Sequence, residues 1–485
     1  MFDPITSQLT RRHFFGRTAT GVGVAALAEL LGNGSRPANA AFREPATSPA
    51  VSTPSLAAAK RIIYVFLAGG PSQVELFDHK PDLQARHGQE LPRSVIGGQR
   101  LTGFTSGQKS FTIAAPAARF AQCGESGTWV SELLPELGRV ADELCMVRSM
   151  YTEAVNHDPA VTFLLTGAQQ AGRPSLGAWL SYGIGSENSN LPAFVVLLNP
   201  GQIQDAATPL SARHWGSGFL PSVHQGVKFR AGADPVLYLA NPPGIDRATR
   251  REMIDVAAQL NAQQHQVFGD PEIATRIAQY EMAFRMQASV PELTDLSTES
   301  DEVFELYGPA SRTPGTFAAN CLLARRLVES GVRFVQVFDR DWDHHRNAPQ
   351  HLRTKTAGCD RPLAGLIRDL KRRGMLEDTL VVCGGEFGRT IYSQGPLLEK
   401  FGRDHHGGCF TVWMAGGGVR RGMVYGATDE FSFNIVENPV HVHDLNATIL
   451  HCLGIDHERL TFQFQGRHHR LTDVHGRVMQ GLLSG

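Results

Sequence analysis

Short apolar runs recur along the chain, each set between polar or helix-patterned stretches. Arg61–Leu67 reads RIIYVFL, an arginine followed by an unbroken apolar run. Leu144–Met150, Ala193–Leu198 (AFVVLL), Val332–Phe338 (VRFVQVF), Thr379–Val382 (TLVV), Phe410–Met414 and Val424–Tyr425 follow the same habit. Brief β-branched and aromatic runs bounded by turn residues predict strands, and unbroken apolarity predicts strands buried on both faces. Between them, Leu363–Arg373 is patterned as a helix and stops at Gly374, and Thr316–Ser330 stops at Gly331. Ala248 to Val290 predicts helix broken at Gly269-Asp270-Pro271, and His443–Leu453 predicts a closing helix. Helices and strands alternate, which predicts an α/β fold built as a three-layer αβα sandwich. Residues 200–245 are rich in glycine, proline and polar groups and are expected to form long surface loops that shape access to a site.

The polar exceptions fall where these strands end. Glu386 stands just past Thr379–Val382, after Gly384 and Gly385, where open α/β sheets place their ligands. A loop is expected next, returning to the same edge with Arg403, Asp404, His405 and His406. Glu75 and Asp78 follow the first strand, Asn156, His157 and Asp158 follow the second, and Asp341, Asp343 and His345 follow Val332–Phe338. Each group alone has an ordinary structural reading: His344 and His345 as a solvated pair, Asp343 as a helix cap, His157 as an imidazole bonded within its turn. Together, carboxylate and imidazole without thiolate suit Zn, Mn or Fe better than Ca or Mg, or an acid–base site. Two such ions about 4 Å apart would stabilise both oxygens of an in-line displacement.

Composition removes several alternatives. The net charge is −1, with no basic stripe, which argues against a nucleic-acid partner. The seven cysteines are scattered, odd in number and without a C-x-x-C pair, so they form neither a disulfide framework nor a cysteine zinc site. Cys383, Cys409 and Cys452 sit in apolar runs and are expected in the core. No later apolar run is long enough for a membrane span. Oligomeric state is open at this point.

The N-terminus carries a different kind of signal. Thr10-Arg11-Arg12-His13-Phe14-Phe15 is a twin-arginine pattern, Thr18–Leu31 is too short to span a bilayer, and Ala38-Asn39-Ala40 is an A-x-A cleavage site. Together they resemble a Tat export signal, with cleavage after Ala40 and a periplasmic or secreted destination. Residues 41–60 are rich in Ala, Pro, Ser and Thr and are expected to be a flexible linker, leaving 61–485 as one large domain.

The segment LAGLIRDLKRRGMLEDTLVVCGGEFG, Leu363 to Gly388, resembles the helix-to-strand unit of the sulfatase and alkaline phosphatase superfamily. HDPAVTFLLTG, His157 to Gly167, resembles the sulfatase signature C-x-P-S-R-x-x-L-L-T-G. A closer resemblance is to a bacterial sulfatase-like family of unknown function inside that superfamily. It is carried by GGPSQVELFDHKP, TEAVNHDPAVTFLLTG, GGEFGRT, GRDHHG, AGGGVRRGMVYGATDE and PVHVHDLNATILHCLGID with GRHHRLTD. The resemblance implies an alkaline phosphatase-like fold with a mixed, mostly parallel central sheet. It also implies one metal on Asp343, His345 and His405, beside Asp404, and a second on Glu386 with Glu75 or Asp78. His157, next to Asn156, would be a nucleophile, a ligand or an acid–base group. The choice between Asp341 and Asp343 stays open.

The departures are specific. His157 stands where sulfatases carry the cysteine that becomes formylglycine, Ala160 and Val161 replace Ser and Arg, Ala68-Gly69-Gly70 replaces the first acidic pair, and Glu386-Phe387 replaces Asp-His. The expectation is an exported hydrolase of sulfate or phosphate esters that needs divalent metal, Zn or Mn, in one or two ions. It would act on a small-molecule or polysaccharide ester without formylglycine. The competing expectation is a non-catalytic protein of the same fold that binds sulfated polysaccharide.

Overall fold

The computed structural model describes residues 57–484, apart from 202, 204–207, 209, 233 and 238. The twin-arginine segment, the cleavage site and most of the linker lie outside the described residues. At the centre is a nine-stranded sheet. Its strands, in chain order, are β1 (Arg61–Leu67), β2 (Leu144–Tyr151), β3 (Phe194–Leu198), β4 (Val227–Phe229), β5 (Phe334–Asp339) and β6 (Thr379–Gly384). A hairpin outside the sheet supplies β7 (Gly388–Gln394) and β8 (Gly402–His406); β9 (Phe410–Ala415), β10 (Met423–Tyr425) and β11 (Val440–His441) complete the sheet. The spatial order is β10-β2-β9-β6-β1-β5-β3-β4, with β11 also beside β2. Only β9 runs antiparallel to its neighbours β2 and β6; every other pairing is parallel. The expected mixed, mostly parallel α/β sheet is the observed one.

Strand periodicity divides the core into two faces. Ile62, Tyr64 and Phe66 of β1 point into one apolar layer, and Ile63, Val65 and Leu67 into the other. The first layer is closed by α1 (His157–Thr166), α2 (Leu176–Ile184) and α7 (Val442–Cys452), through Val161, Leu164, Trp179, Leu445 and Ile449. Of four longer helices, α3 (Arg247–Phe268), α4 (Pro271–Thr294), α5 (Phe317–Glu329) and α6 (Ala348–Arg372), the last two pack on the second layer with Cys321, Leu322, Leu363 and Ile367. Each fully buried Leu, Ile or Phe contributes about 1.5–3 kcal/mol, so the sandwich is held chiefly by these two layers. Among the described residues no helix is long and apolar enough to cross a membrane.

Two segments depart from the sequence expectation. The loop expected between Glu386 and Asp404 is instead the β7–β8 hairpin, paired from Gly388↔His406 to Gln394↔Gly402. It reads poorly as a hairpin because Arg389, Arg403, Asp404 and His405 are polar yet buried. The helix expected over Leu363–Arg373 begins earlier, at Ala348, and carries Pro362 in its interior. Since every parallel strand points the same way, the ends of β1, β2, β5 and β6 lie on one edge of the sheet.

Candidate metal centre

Four of the candidate side chains converge at that edge. His157, Asp343, His345 and His405 each offer one ligand atom, and these atoms all lie within 4.8 Å of one another. Asp343 Oδ1 is the hub, at 2.9 Å from His345 Nε2, 3.1 Å from His157 Nε2 and 3.4 Å from His405 Nε2. His157 opens α1, where Asn156 is the extended N-cap residue and its carbonyl accepts from Ala160 N–H at 3.0 Å. Asn156 makes no side-chain cap. Asp343 and His345 leave the end of β5, and His405 is in β8. Gly69, at φ +124°, is what lets the end of β1 lie against them: a Cβ there would collide with the backbone of Trp342 and Asp343.

The opposite nitrogen of every imidazole is already committed. His157 Nδ1 is 2.5 Å from Glu386 Oε1, His345 Nδ1 is 2.5 Å from Gln394 Oε1, and His405 Nδ1 is 2.9 Å from the Val155 carbonyl. Each partner is an oxygen acceptor, so each Nδ1 carries and donates the proton. In a neutral ring that tautomer leaves a lone pair on Nε2, and all three Nε2 atoms face Asp343. Three imidazoles and a carboxylate facing one point, each imidazole anchored behind, make the donor set of a borderline divalent cation, whose binding would displace any proton on Nε2. His157 Nε2 is buried and lacks hydrogen-bond geometry to any protein partner, although Asp343 Oδ1 is close by. The residues present therefore fit a metal.

The electrostatics keep the set ready. Burial alone would raise the Asp343 carboxyl, but its contacts with His157, His345 and His405, and the Arg389 guanidinium, hold it far below the usual carboxylate range. Arg389 reaches Asp343 Oδ1 at 2.6 Å and is itself fixed by the carbonyls of Gly69, Gly70 and Arg403. Burial, helped by Arg389 and the neighbouring imidazoles, pushes His405 down to about 4 despite Asp343. For His157 burial acts downward, yet Asp343 and Glu386 outweigh it and raise its pKa. Phe387 lies against the ring of His405, with centroids 4.6 Å apart, and Phe104 lies 4.6 Å from His345 on the solvent side.

The other expected ligands are engaged elsewhere. Glu75 forms a buried ion pair with Arg403, Oε1 to guanidinium at 2.7 Å, and accepts from Ala117 N–H at 2.8 Å. Asp78 accepts from the hydroxyls of Thr428 and Ser432, both at 2.5 Å, with Lys80 at 3.3 Å. Asp404 accepts from Thr102 and Thr105 hydroxyls at 2.5 and 2.6 Å. Each of these carboxylates has its charge satisfied by protein donors. Glu386 accepts from Gly69 N–H at 3.1 Å and from His157, which places it behind a ligand. Among the described residues the converging group does not include Glu386, Glu75 or Asp78. Asp341, at φ +75°, takes Ile203 N–H on Oδ2 at 2.9 Å, so the residue facing the cluster is Asp343. Sequence reasoning missed Arg389 and Gln394. Arg389 lies inside the GGEFGRT string, but nothing local marks Gln394.

Residues 59–483 match the family described as protein of unknown function (DUF1501). The chain belongs to that family. No curated protein matches it. Among solved structures it is similar to a sulfatase from Pseudoalteromonas sp., at 13% identity and TM-score 0.37, covering 82% of this chain and 68% of that one. It is similar to a phosphonate monoester hydrolase from Silicibacter pomeroyi, at 11% identity and TM-score 0.31, covering 87% and 76%. It is also similar to the TAB5 alkaline phosphatase in a His-to-Glu variant, at 10% identity and TM-score 0.29, covering 74% and 92%.

Proposed function

We propose that this protein is an exported, metal-dependent hydrolase of sulfate or phosphate esters that works without formylglycine. One observation carries the reading: three imidazoles, each anchored through Nδ1, present Nε2 with the Asp343 carboxylate at the ligand-binding edge of the sheet. His157, Asp343, His345 and His405 would hold a divalent ion, Zn or Mn. Such an ion supplies Lewis acidity toward an ester oxygen and makes a water more acidic. The chain's own residues do the rest. Arg389 keeps Asp343 ionised and in place; Glu386, Gln394 and the Val155 carbonyl keep each imidazole in one tautomer. Phe387 and Phe104 limit water on the faces of His405 and His345. Formylglycine is ruled out at position 157 because an imidazole stands there.

A second reading has its own support. Both nitrogens of His157 face carboxylates, at 2.5 Å and 3.1 Å, so neither is free to attack a substrate. Four protein ligands would also match the ligand count of structural sites, which leave no position open. On this reading the protein binds its polysaccharide without cleaving it. Elemental analysis followed by a panel of aryl sulfates, aryl phosphates and phosphodiesters, with Zn or Mn added, separates the two. Stoichiometric metal with turnover supports the hydrolase. Stoichiometric metal with no turnover of any ester favours the binding protein, and absence of metal removes both forms of the metal reading.

A further inference from the structure

A concavity of about 1140 Å³ lies apart from the cluster, and none of the four converging residues lines it. Its walls are the Gly167–Arg173 loop after α1, the start of α7, the hairpin Phe462–Phe464/Arg467–His469 and the segment Asp473–Arg477. The 200–245 segment contributes Phe219.

The lining has two characters. One side is an aromatic platform: Phe219 and Phe464 stack with centroids 5.0 Å apart at 14°, and His469 lies 4.8 Å from Phe219. Phe464 is 37% exposed, so part of this platform is open to a ligand. Much of the remaining lining is polar, with Gln169, Gln170, Gln465, Glu153, Asp444 and Arg477. Charges of both signs are present and several are already paired: Arg173 with Asp473 at 3.6 Å, and His441 with Glu153 at 3.0 Å. A lining of mixed sign does not select a strongly charged ion, and one this polar does not select an apolar molecule. Flat apolar faces beside planar amides, carboxylates and guanidinium groups suit a ligand that is itself two-sided, with ring C–H faces and a girdle of hydroxyls.

We infer that this cavity is a carbohydrate-binding site, separate from the metal centre, that takes a sugar ring on the outer face of Phe464, backed by Phe219, and its hydroxyls on the amides and Arg477. It does not depend on the metal reading. The test uses the full chain on an array of neutral and sulfated oligosaccharides, with calorimetry on whichever glycan binds. The expected result is saturable binding that weakens at least about tenfold in Phe464→Ala, corresponding to loss of a stacking contact, and is retained in Phe464→Tyr. Both positions to be changed, Phe464 and Arg477, are at the surface, and metal content and Tm should stay at wild-type values. Arg477→Ala should weaken binding in the same direction. No binding to any glycan, or undiminished binding in both Phe464→Ala and Arg477→Ala, overturns the inference.

Discussion

His345 and His405 meet nitrogen to nitrogen, their Nε2 atoms 2.9 Å apart. With each Nδ1 donating to an oxygen behind it, a neutral ring has no Nε2 proton to offer the other. Two lone pairs at that separation repel unless a cation lies against both. The same Asp343 oxygen faces the pair, at 2.9 and 3.4 Å. This contact is stabilised when a positive charge, a proton or a metal ion, is shared among the three groups.

Protein purified without chelator should contain a transition metal, and His345→Ala should lose most of it. Thermal stability should fall with the metal, because an ion held only by the folded state stabilises that state. Elemental analysis with melting curves before and after chelation checks this; a metal-free wild type would count against the ligand set.

Gln394 should act through His345 and not through the ion. Gln394→Ala frees the His345 ring to turn, and metal affinity should drop by roughly 10–100-fold, the usual cost of losing such an anchor. Gln394→Glu keeps an acceptor at Nδ1 and should restore most of the affinity. Competition against a chromophoric chelator reads the difference; equal affinity in wild type and Gln394→Ala would remove Gln394 from the site.

Glu75 should matter for folding and not for metal. It is fully buried against Arg403, and Glu75→Ala leaves that guanidinium without its counter-charge. Breaking a buried pair on one side costs about 3–5 kcal/mol. Denaturant unfolding should show that loss while the folded fraction keeps wild-type metal content. Loss of metal at unchanged stability would instead return Glu75 to the ligand list.

Stability should decline on acidification from about pH 6.5. His214, His406 and His443 are buried, and burial pushes each down to about 4 from the ordinary 6.5. Their folded pKa lies below the unfolded one, so the unfolded chain binds more protons as pH falls. Their contribution is complete above pH 6.5 and is lost progressively toward pH 4. At about 1.36 kcal/mol per pKa unit, each is worth on the order of 3 kcal/mol at the acid end. His214→Gln should flatten the dependence of Tm on pH between 7.5 and 4.5; a wild-type Tm that does not change over that range would contradict the assignment.

Export should need both Arg11 and Arg12. Changing the pair to lysine should hold the precursor inside the cell, and the mature protein should begin at Ala41. Fractionation and N-terminal sequencing check both points, and undiminished export of the double variant would remove the twin-arginine reading.

The sequence by itself determined the layers and the edge. Strand-forming runs such as Arg61–Leu67 and Thr379–Val382, with helix stops at Gly331 and Gly374, depend on neighbours a few positions away, so their signal is complete in the local string. The same logic put His157, Asp343 and His345 close after strand ends and His405 in a segment returning to that edge. What only the tertiary structure decided is who partners whom. Glu75, Asp78, Asp404 and Glu386 read alike as carboxylates near an edge. Glu75 found Arg403, 328 positions away, Asp404 found Thr102 and Thr105, and Glu386 found Gly69 and His157. Gln394, without any local mark, came to lie behind His345. A buried carboxylate must be neutralised or hydrogen-bonded, but a cation, a guanidinium and a pair of hydroxyls all meet that need, and nothing in the local string says which will arrive. That choice is made when the sheet closes and brings distant segments to one edge.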